Sequence, residues 1–339
     1  MSGADIISDL FASIMLDNSP FCKACLQFKI TKGSFTSDPY TEHRMHQLGS
    51  YQDVYDRKSC SLCQLIAEAY YEGPLPYGPK SSASWSKDLR VQGCWEQAST
   101  SEPNASYLRI YLIQYHEERK AALRVRLEDN EQKYSHFGKE VTGPLIDFQV
   151  VKGWLEDCQE HHACHIKAVS AVQTPALFKV IDVQKMCVVE PPPGCRYLTL
   201  SYVWGTKLMF LLKEANLAEL SSTGGLKANW EKLSPTIRDA IHFARKLGET
   251  YLWVDSLCIV QDSSDKLDAI QDMDLIYTQA TAMICAADDR SPDHGLPGVN
   301  SPRKLQHHVR EISPGFRVVA QHDFLVYVES SIYATRGWT

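Results

Sequence analysis

The chain has 339 residues, enough for one large domain or two ordinary ones, and 44% hydrophobic with 22% charged residues is the balance of a folded globular protein, not a disordered, collagen-like or coiled-coil one. A formal charge of -6 with no long basic run excludes a binder that works by neutralising phosphates, so no nucleic acid is expected as a partner. The N-terminal stretch MSGADIISDLFASIML lacks the basic start and small-residue cleavage site of a signal peptide, and no window holds the eighteen or so apolar residues of a membrane span; a cytoplasmic protein is expected.

Eleven cysteines are spread too thinly for a small disulfide scaffold and read as reduced thiols with room for a metal site. The sequon Asn104-Ala105-Ser106 then carries no glycan. Cys22-x-x-Cys25 and Cys60-x-x-Cys63 form two knuckle-like pairs separated by 34 residues. Four thiolates in two such pairs suit tetrahedral Zn²⁺, although the interval exceeds that of common ribbons and contains His43 and His46. The competing reading makes Cys60 and Cys63 core residues. CSLCQLIAEAYY places Leu62, Leu65, Ile66 and Ala69 at helical spacing and predicts a helix from about Ser61. A loop rich in Pro, Gly and Ser follows, from Gly73 to Ser86.

In YLRIYLIQY, Leu108, Ile110 and Leu112 alternate with Arg109 and Tyr111. In ALRVRLE, Leu123, Val125 and Leu127 alternate with Arg124 and Arg126. The polar link HEERK predicts a hairpin between them. From Leu145 to Cys158 the period becomes helical, with Ile146, Val150, Trp154 and Cys158 on one face. Cys158, His161, His162, Cys164 and His165 form a second metal candidate, against the reading that Cys158 completes the apolar face. PPPG at Pro191 to Gly194 marks a boundary between an α+β region, 1–194, and a second domain, 195–339.

Beyond Gly194, RYLTLSYVWG reads as a buried strand. SPTIRDAIHFARKLGE is a helix with Ser234 as N-cap, Pro235 in the first turn, Ile237, Ile241, Ala244 and Leu247 on its apolar face, and Gly248 near its end. YLWVDSLCIV is a second strand, SSDKLDAIQDMDLIYTQA a helix capped at Ser263 or Ser264, and TAMICAA a third strand. Continuous apolar strands alternating with helices predict a parallel sheet with right-handed crossovers. Ligands of such sheets sit at the carboxyl ends of the strands. Ser201, Tyr202, Trp204 and Gly205 end one strand there, and Asp255 and Ser256 end the next. Gly205 permits close backbone approach. The competing reading is that these residues cap loops and that Trp204 fills the core. Neither G-x-G-x-x-G nor a P-loop accompanies them, so binding of the Rossmann kind is not indicated. Arg238, with Asp239 in the same turn, either meets a phosphate or pairs on a solvated face. Cys258, with no base nearby in sequence, reads as a small buried hydrophobe on the second strand.

RYLTLSYVWG, LSPTIRDAIHFARKLGETYLWVDSLCIVQD, MDLIYTQA, TAMICAADD, HGLPGV and RGWT occur in that order. Together they resemble the heterokaryon incompatibility (HET) domain of filamentous fungi over roughly Cys195 to Thr339. The paired cysteines and WLEDCQEHHACH resemble, more loosely, the flank many such proteins carry. The resemblance implies a TIR-like, flavodoxin-like α/β fold and a part in non-self recognition, where fusion of incompatible hyphae triggers cell death. It also implies self-association or a second incompatibility protein as partner. Three activities stay open: hydrolysis of NAD at the nicotinamide–ribose bond, non-enzymatic assembly, or other small-molecule chemistry on the same fold. For the first, a carboxylate must stabilise an oxocarbenium-like ribose. The family places a Gln-Glu pair shortly after RGWT, so that glutamate is expected beyond Thr339. Glu329, ending the alternating FLVYVESSIY, reads as a surface residue. Arg336 and Trp338 of RGWT form a local lock or a pocket wall, and join Ser201, Tyr202, Trp204, Gly205, Asp255 and Ser256 as the expected ligand site.

Overall fold

The computed structural model describes residues 19–36, 44–72, 89–99, 102–114, 121–128, 143–161, 177–204, 209–287, 294–303, 308–323, 328 and 331–335. In chain order its main elements are β1 (His46–Ser50), α1 (Tyr51–Asp56), α2 (Ser61–Glu72), β2 (Leu89–Ser99), β3 (Glu102–Gln114), β4 (Ala121–Leu127), α3 (Phe148–His161), β5 (Val180–Asp182), β6 (Cys187–Val189) and β7 (Leu198–Ser201). Then come α4 (Glu214–Ser221), α5 (Pro235–Leu247), β8 (Tyr251–Val254), α6 (Asp255–Cys258), α7 (Lys266–Gln271), α8 (Met273–Gln279), β9 (Ala282–Cys285), β10 (His308–Ser313) and β11 (Phe316–His322). They divide into two compact units, Met1–Thr142 with Leu305–Ser330, and Gly143–Lys304 with Ser331–Thr339.

The first unit is built on an antiparallel sheet of order β1-β2-β3-β4-β11-β10. The hairpin read from alternation is present, with Leu108 opposite Val125 and Ile110 opposite Leu123. Period-two burial sends Leu108, Ile110, Leu112, Leu123 and Val125 into one core with Leu62, Leu65 and Ile66 of α2. Arg109 and Arg124 point the other way, 3.2 Å from Glu96 and 2.8 Å from Asp323. β11 supplies the far neighbour of β4, pairing Ala320 with Val125.

His322 of β11 is buried, its Nε2 2.8 Å from the Ala69 carbonyl of α2 and its ring 5.6 Å from that of Tyr70 in an edge-on contact. Burial, aided by the charge of nearby His308 and opposed by the Ala69 carbonyl, depresses its pKa below the ordinary 6.5. The unfolded chain therefore binds the proton first as pH falls. Stability should be flat above about pH 6.5 and decline below it, by up to about 1.4 kcal/mol per pH unit, until the folded-state pKa is reached. Urea midpoints at pH 7.5 and 5.5 should differ more for the wild type than for His322→Gln; equal differences would remove this residue from the account.

The second unit carries a five-stranded sheet of order β6-β5-β8-β7-β9. β8, β7 and β9 are parallel as read, but β5 and β6 run antiparallel at one edge, so the sheet is mixed. β7 is buried along its length, whereas β9 lies at the sheet edge with Met283 48% exposed. α5 forms with the expected signals: Ser234 Oγ accepts from Ile237 N, Pro235 opens it, and Gly248 closes it at φ 87°. Its Ile237, Ile241, Ala244 and Leu247 are buried.

Three expectations change. The second strand stops at Val254, where the chain turns into α6, so Cys258 lies on a helical turn. The long helix after Ser263 is two short ones broken at Asp272 (φ -84°, ψ 1°), with Asp265 before α7 in place of a serine cap; α7 has no fully buried side chain, and only Ala269 and Ile270 pack partly buried on the core. Ile146 of the expected stripe does pack on the core, but on α3 the packed residues are Phe148, Val151 and Leu155 rather than Val150, Trp154 and Cys158, and Trp154 is 60% exposed. The helix starts only at Phe148, which joins Phe243 of α5 at 5.4 Å and fixes that face. Among the described residues, no helix is long and apolar enough to cross a membrane.

Candidate functional site

Two groups of side chains meet the requirements of a site, one in each unit. In the first unit, Cys25 N and Leu26 N both donate to Cys22 O, at 2.9 and 3.0 Å, and curl the chain into the turn Cys25–Phe28. Ser61 N donates to Pro20 O at 2.8 Å, which lays this turn across the start of α2, where Cys60 and Cys63 sit. The four sulfurs lie within 4.8 Å of one another. Cys63 Sγ is 3.5 Å from Cys25 Sγ and 3.7 Å from Cys22 Sγ. Zinc–sulfur bonds of about 2.3 Å in a tetrahedron require sulfurs about 3.8 Å apart. None of the four is in a disulfide; Cys25, Cys60 and Cys63 are buried and Cys22 is half-buried. The two sequence readings therefore coincide: these thiols are core residues and also form a site that could hold a metal.

The electrostatics agree. Hydrogen bonds from Cys25 and Cys63, reinforced by the backbone N–H of Cys22 at 3.3 Å, pull the Cys60 thiol well below the ordinary thiol range. The hydrogen bonds with Cys60 and Cys63, then burial, push Cys25 far up. Close-packed thiols in which one ionises at the expense of its neighbours are stabilised by a cation among them. His46 stands outside the group, its Nδ1 3.2 Å from Gln27 Oε1. His43 lies outside the described residues. So do His162, Cys164 and His165, while Cys158 is half-buried on α3.

In the second unit, register places the ends of the parallel strands level, with Leu200 opposite Val254 and Ser201 opposite Cys285. Four of the side chains expected there meet in two pairs, while Ser201 turns to another partner. Trp204 Nε1 donates to Asp255 Oδ2 at 3.0 Å, and Tyr202 Oη donates to Ser256 Oγ at 2.8 Å. Asp255 Oδ1 accepts from Ser256 N at 2.7 Å within the first turn of α6. Tyr202, Asp255 and Ser256 are buried, but Trp204 is 42% exposed and is not core. Leu212 N donates to Ser256 O at 2.9 Å and Gln261 N to Leu212 O at 2.9 Å, which fastens the segment after Trp204 onto the 255–261 turn. Cys258 is buried, with Val254 N 3.3 Å from its sulfur, and burial pushes its thiol up to about 12; it is inert.

Two contributors were not singled out in sequence. Tyr333 Oη is 2.8 Å from Ser201 Oγ and 3.6 Å from Cys285 Sγ, so the turn Ile332–Thr335 is pinned between the ends of β7 and β9. Its position three residues before Arg336 of RGWT was the available signal. Arg57, three residues before Cys60, reaches the cysteines; a cation beside a thiolate pair was its signal. Arg238 pairs with Glu231 at 3.1 Å on a solvated face. Gly205, Arg336, Trp338 and Glu329 lie outside the described residues.

Residues 197–339 match the family model described as heterokaryon incompatibility protein (HET). No curated protein and no solved structure matches the chain.

Proposed function

We propose, for a chain whose residues 197–339 are a domain of the heterokaryon incompatibility (HET) family, that the protein is an effector of heterokaryon incompatibility, and that this domain receives NAD at the carboxyl ends of β7 and β8. One observation carries the reading. The Trp204 indole is 42% exposed, yet its ring nitrogen is held by a buried carboxylate at 3.0 Å. A ring fixed at one edge and this exposed can serve as a platform for another planar ring, and stacking on such a platform contributes about 1–3 kcal/mol. Strand order by itself would choose the neighbouring crevice: in chain order β7, β8 and β9 lie 2-1-3, and the order reverses between β7 and β9. Tyr333 occupies that side, bonded to Ser201 and beside Cys285, so the reading rests on the Trp204 platform beside β8.

Cleavage of the nicotinamide–ribose bond needs a carboxylate facing the ribose. Asp255 directs one oxygen to Trp204 and the other to Ser256 N, so its role is to hold the platform. The same observation favours a second reading, in which the domain binds without cleaving and signals by self-association or by docking on another incompatibility protein. Zinc is the ion this reading gives the four cysteines, as a structural centre.

The test is NAD⁺ titration of the purified protein, with nicotinamide release followed in parallel. Binding should weaken about tenfold in Trp204→Ala. If the wild type neither binds NAD⁺ nor releases nicotinamide, while light scattering shows concentration-dependent assembly, the second reading replaces the first.

A further inference from the structure

We propose that the four-cysteine site holds a single Zn²⁺ and that Arg57 is the positioning residue that makes four thiolates tolerable there. The ion rests on the zinc reading above; the part of Arg57 is a separate claim. Four thiolates (-4) on Zn²⁺ (+2) leave a formal charge of -2, and three of the four sulfurs are buried. Charge in such a place is costly unless it is offset by a fixed partner. Arg57 is placed to supply it. Its Nη1 donates to the Leu48 carbonyl of β1 at 2.7 Å, and the same nitrogen is 3.9 Å from Cys63 Sγ. The guanidinium thus ties the sulfur cluster to the edge of the sheet. Leu48 is buried, so this end of the bridge cannot drift.

Asp53, whose carboxylate feels the Arg57 charge, has its Oδ2 2.7 Å from both the backbone N and the Oγ of Ser50. Lys23 adds a second cation: with Cys22, Ala24, Gln27 and Arg57 it lines an open concavity of about 480 Å³ over the half-buried sulfur. Sulfurs all within 4.8 Å of one another surround one ion. An iron–sulfur cluster would set its two cysteine pairs apart by the width of the cluster.

The experiment uses the full chain. Metal content comes from elemental analysis, zinc affinity from competition with a chromophoric chelator, and ligand set from the absorption spectrum of the Co²⁺ form. One zinc per chain and a four-sulfur Co²⁺ spectrum are expected. Arg57→Gln should keep that spectrum but bind zinc about 10- to 100-fold more weakly, the range for loss of an outer-sphere partner. Arg57→Lys should fall between, since an ammonium keeps the charge but cannot span Leu48 O and Cys63 Sγ together. A merely structural role would lower the melting temperature of the metal-free form and leave zinc affinity alone. No metal in the wild type overturns both claims, and iron in place of zinc overturns the ion. Zinc bound equally well by Arg57→Gln overturns the role of Arg57 alone. Should Arg57→Gln fail to fold, unchanged affinity in Arg57→Lys overturns it instead.

Discussion

With the proposed zinc in the four-cysteine site, stripping it, or replacing Cys63 by Ser, should lower the melting temperature of the first unit by roughly 10 °C. An ion present at about a thousand times its Kd stabilises the folded state by about 4 kcal/mol, and each kcal/mol moves the midpoint of a domain this size by about 2–4 °C. The loss has a route through the structure. Cys22 and Cys25 lie in the segment before β1 that carries Phe28 and Phe35 into the core. That segment is fastened by Ser61 N to Pro20 O at 2.8 Å, by Trp95 Nε1 to Phe28 O at 2.9 Å, and by the Phe35–Trp95 ring contact at 4.9 Å. Without the ion, thiols that compete for one proton set take the place of a bonded centre, and Ser in place of Cys63 cannot restore the fourth bond. Thermal melting with and without chelator, followed by circular dichroism and reversed by added zinc, measures the effect. A midpoint indifferent to chelator would exclude a structural ion.

Gly295→Ala should destabilise the second unit by about 3–4 kcal/mol, whereas Gly248→Ala should cost only about 1 kcal/mol. Both glycines have positive φ, 80° and 87°, which an L-residue adopts at a cost of about 1–2 kcal/mol. They differ in what a Cβ would meet. At Gly248 there is nothing within 4 Å. At Gly295 the new carbon would overlap Asp239 Oδ2 and come within 3.3 Å of its Cγ. Asp239 has no room to yield. It is buried on α5, its Oδ2 accepting from Leu296 N at 2.7 Å and its Oδ1 from Asn300 Nδ2 at 2.6 Å. Pushing it aside leaves buried polar groups unsatisfied, at about 1–3 kcal/mol. Urea denaturation of the two variants decides; equal losses would mean that the backbone alone, and not the Asp239 lock, governs HGLPGV.

How much of this was legible in the sequence varies with the range of the interaction. α5 was, because Ser234, Pro235, the apolar spacing and Gly248 are local instructions carried within one segment. The β3–β4 hairpin was, because alternation and a short polar link suffice. The meeting of Tyr202 and Trp204 with Ser256 and Asp255 was legible as a place, since parallel strands must end level. The edge hairpin β5–β6 went unread, its strands being three residues each, too short for periodicity to register. The true face of α3 was missed because Trp154 was weighed by its hydrophobicity, while packing by Phe148, Val151 and Leu155 decided it.

Composition, capping and strand ends, then, determined by themselves that this chain makes helices and parallel strands after Gly194, and that its polar strand ends belong together. Only the tertiary structure decided that β11 completes the sheet beside β4, that Asp239 is a lock for Gly295 and Leu296, that Tyr333 sits between Ser201 and Cys285, and that four cysteines in two distant pairs converge within 4.8 Å. Each of these joins residues tens to nearly two hundred positions apart. Spacing along a chain carries the geometry of one helix or one hairpin, but the closure of long loops is set by which cores bury the most surface, and that is a property of the whole fold.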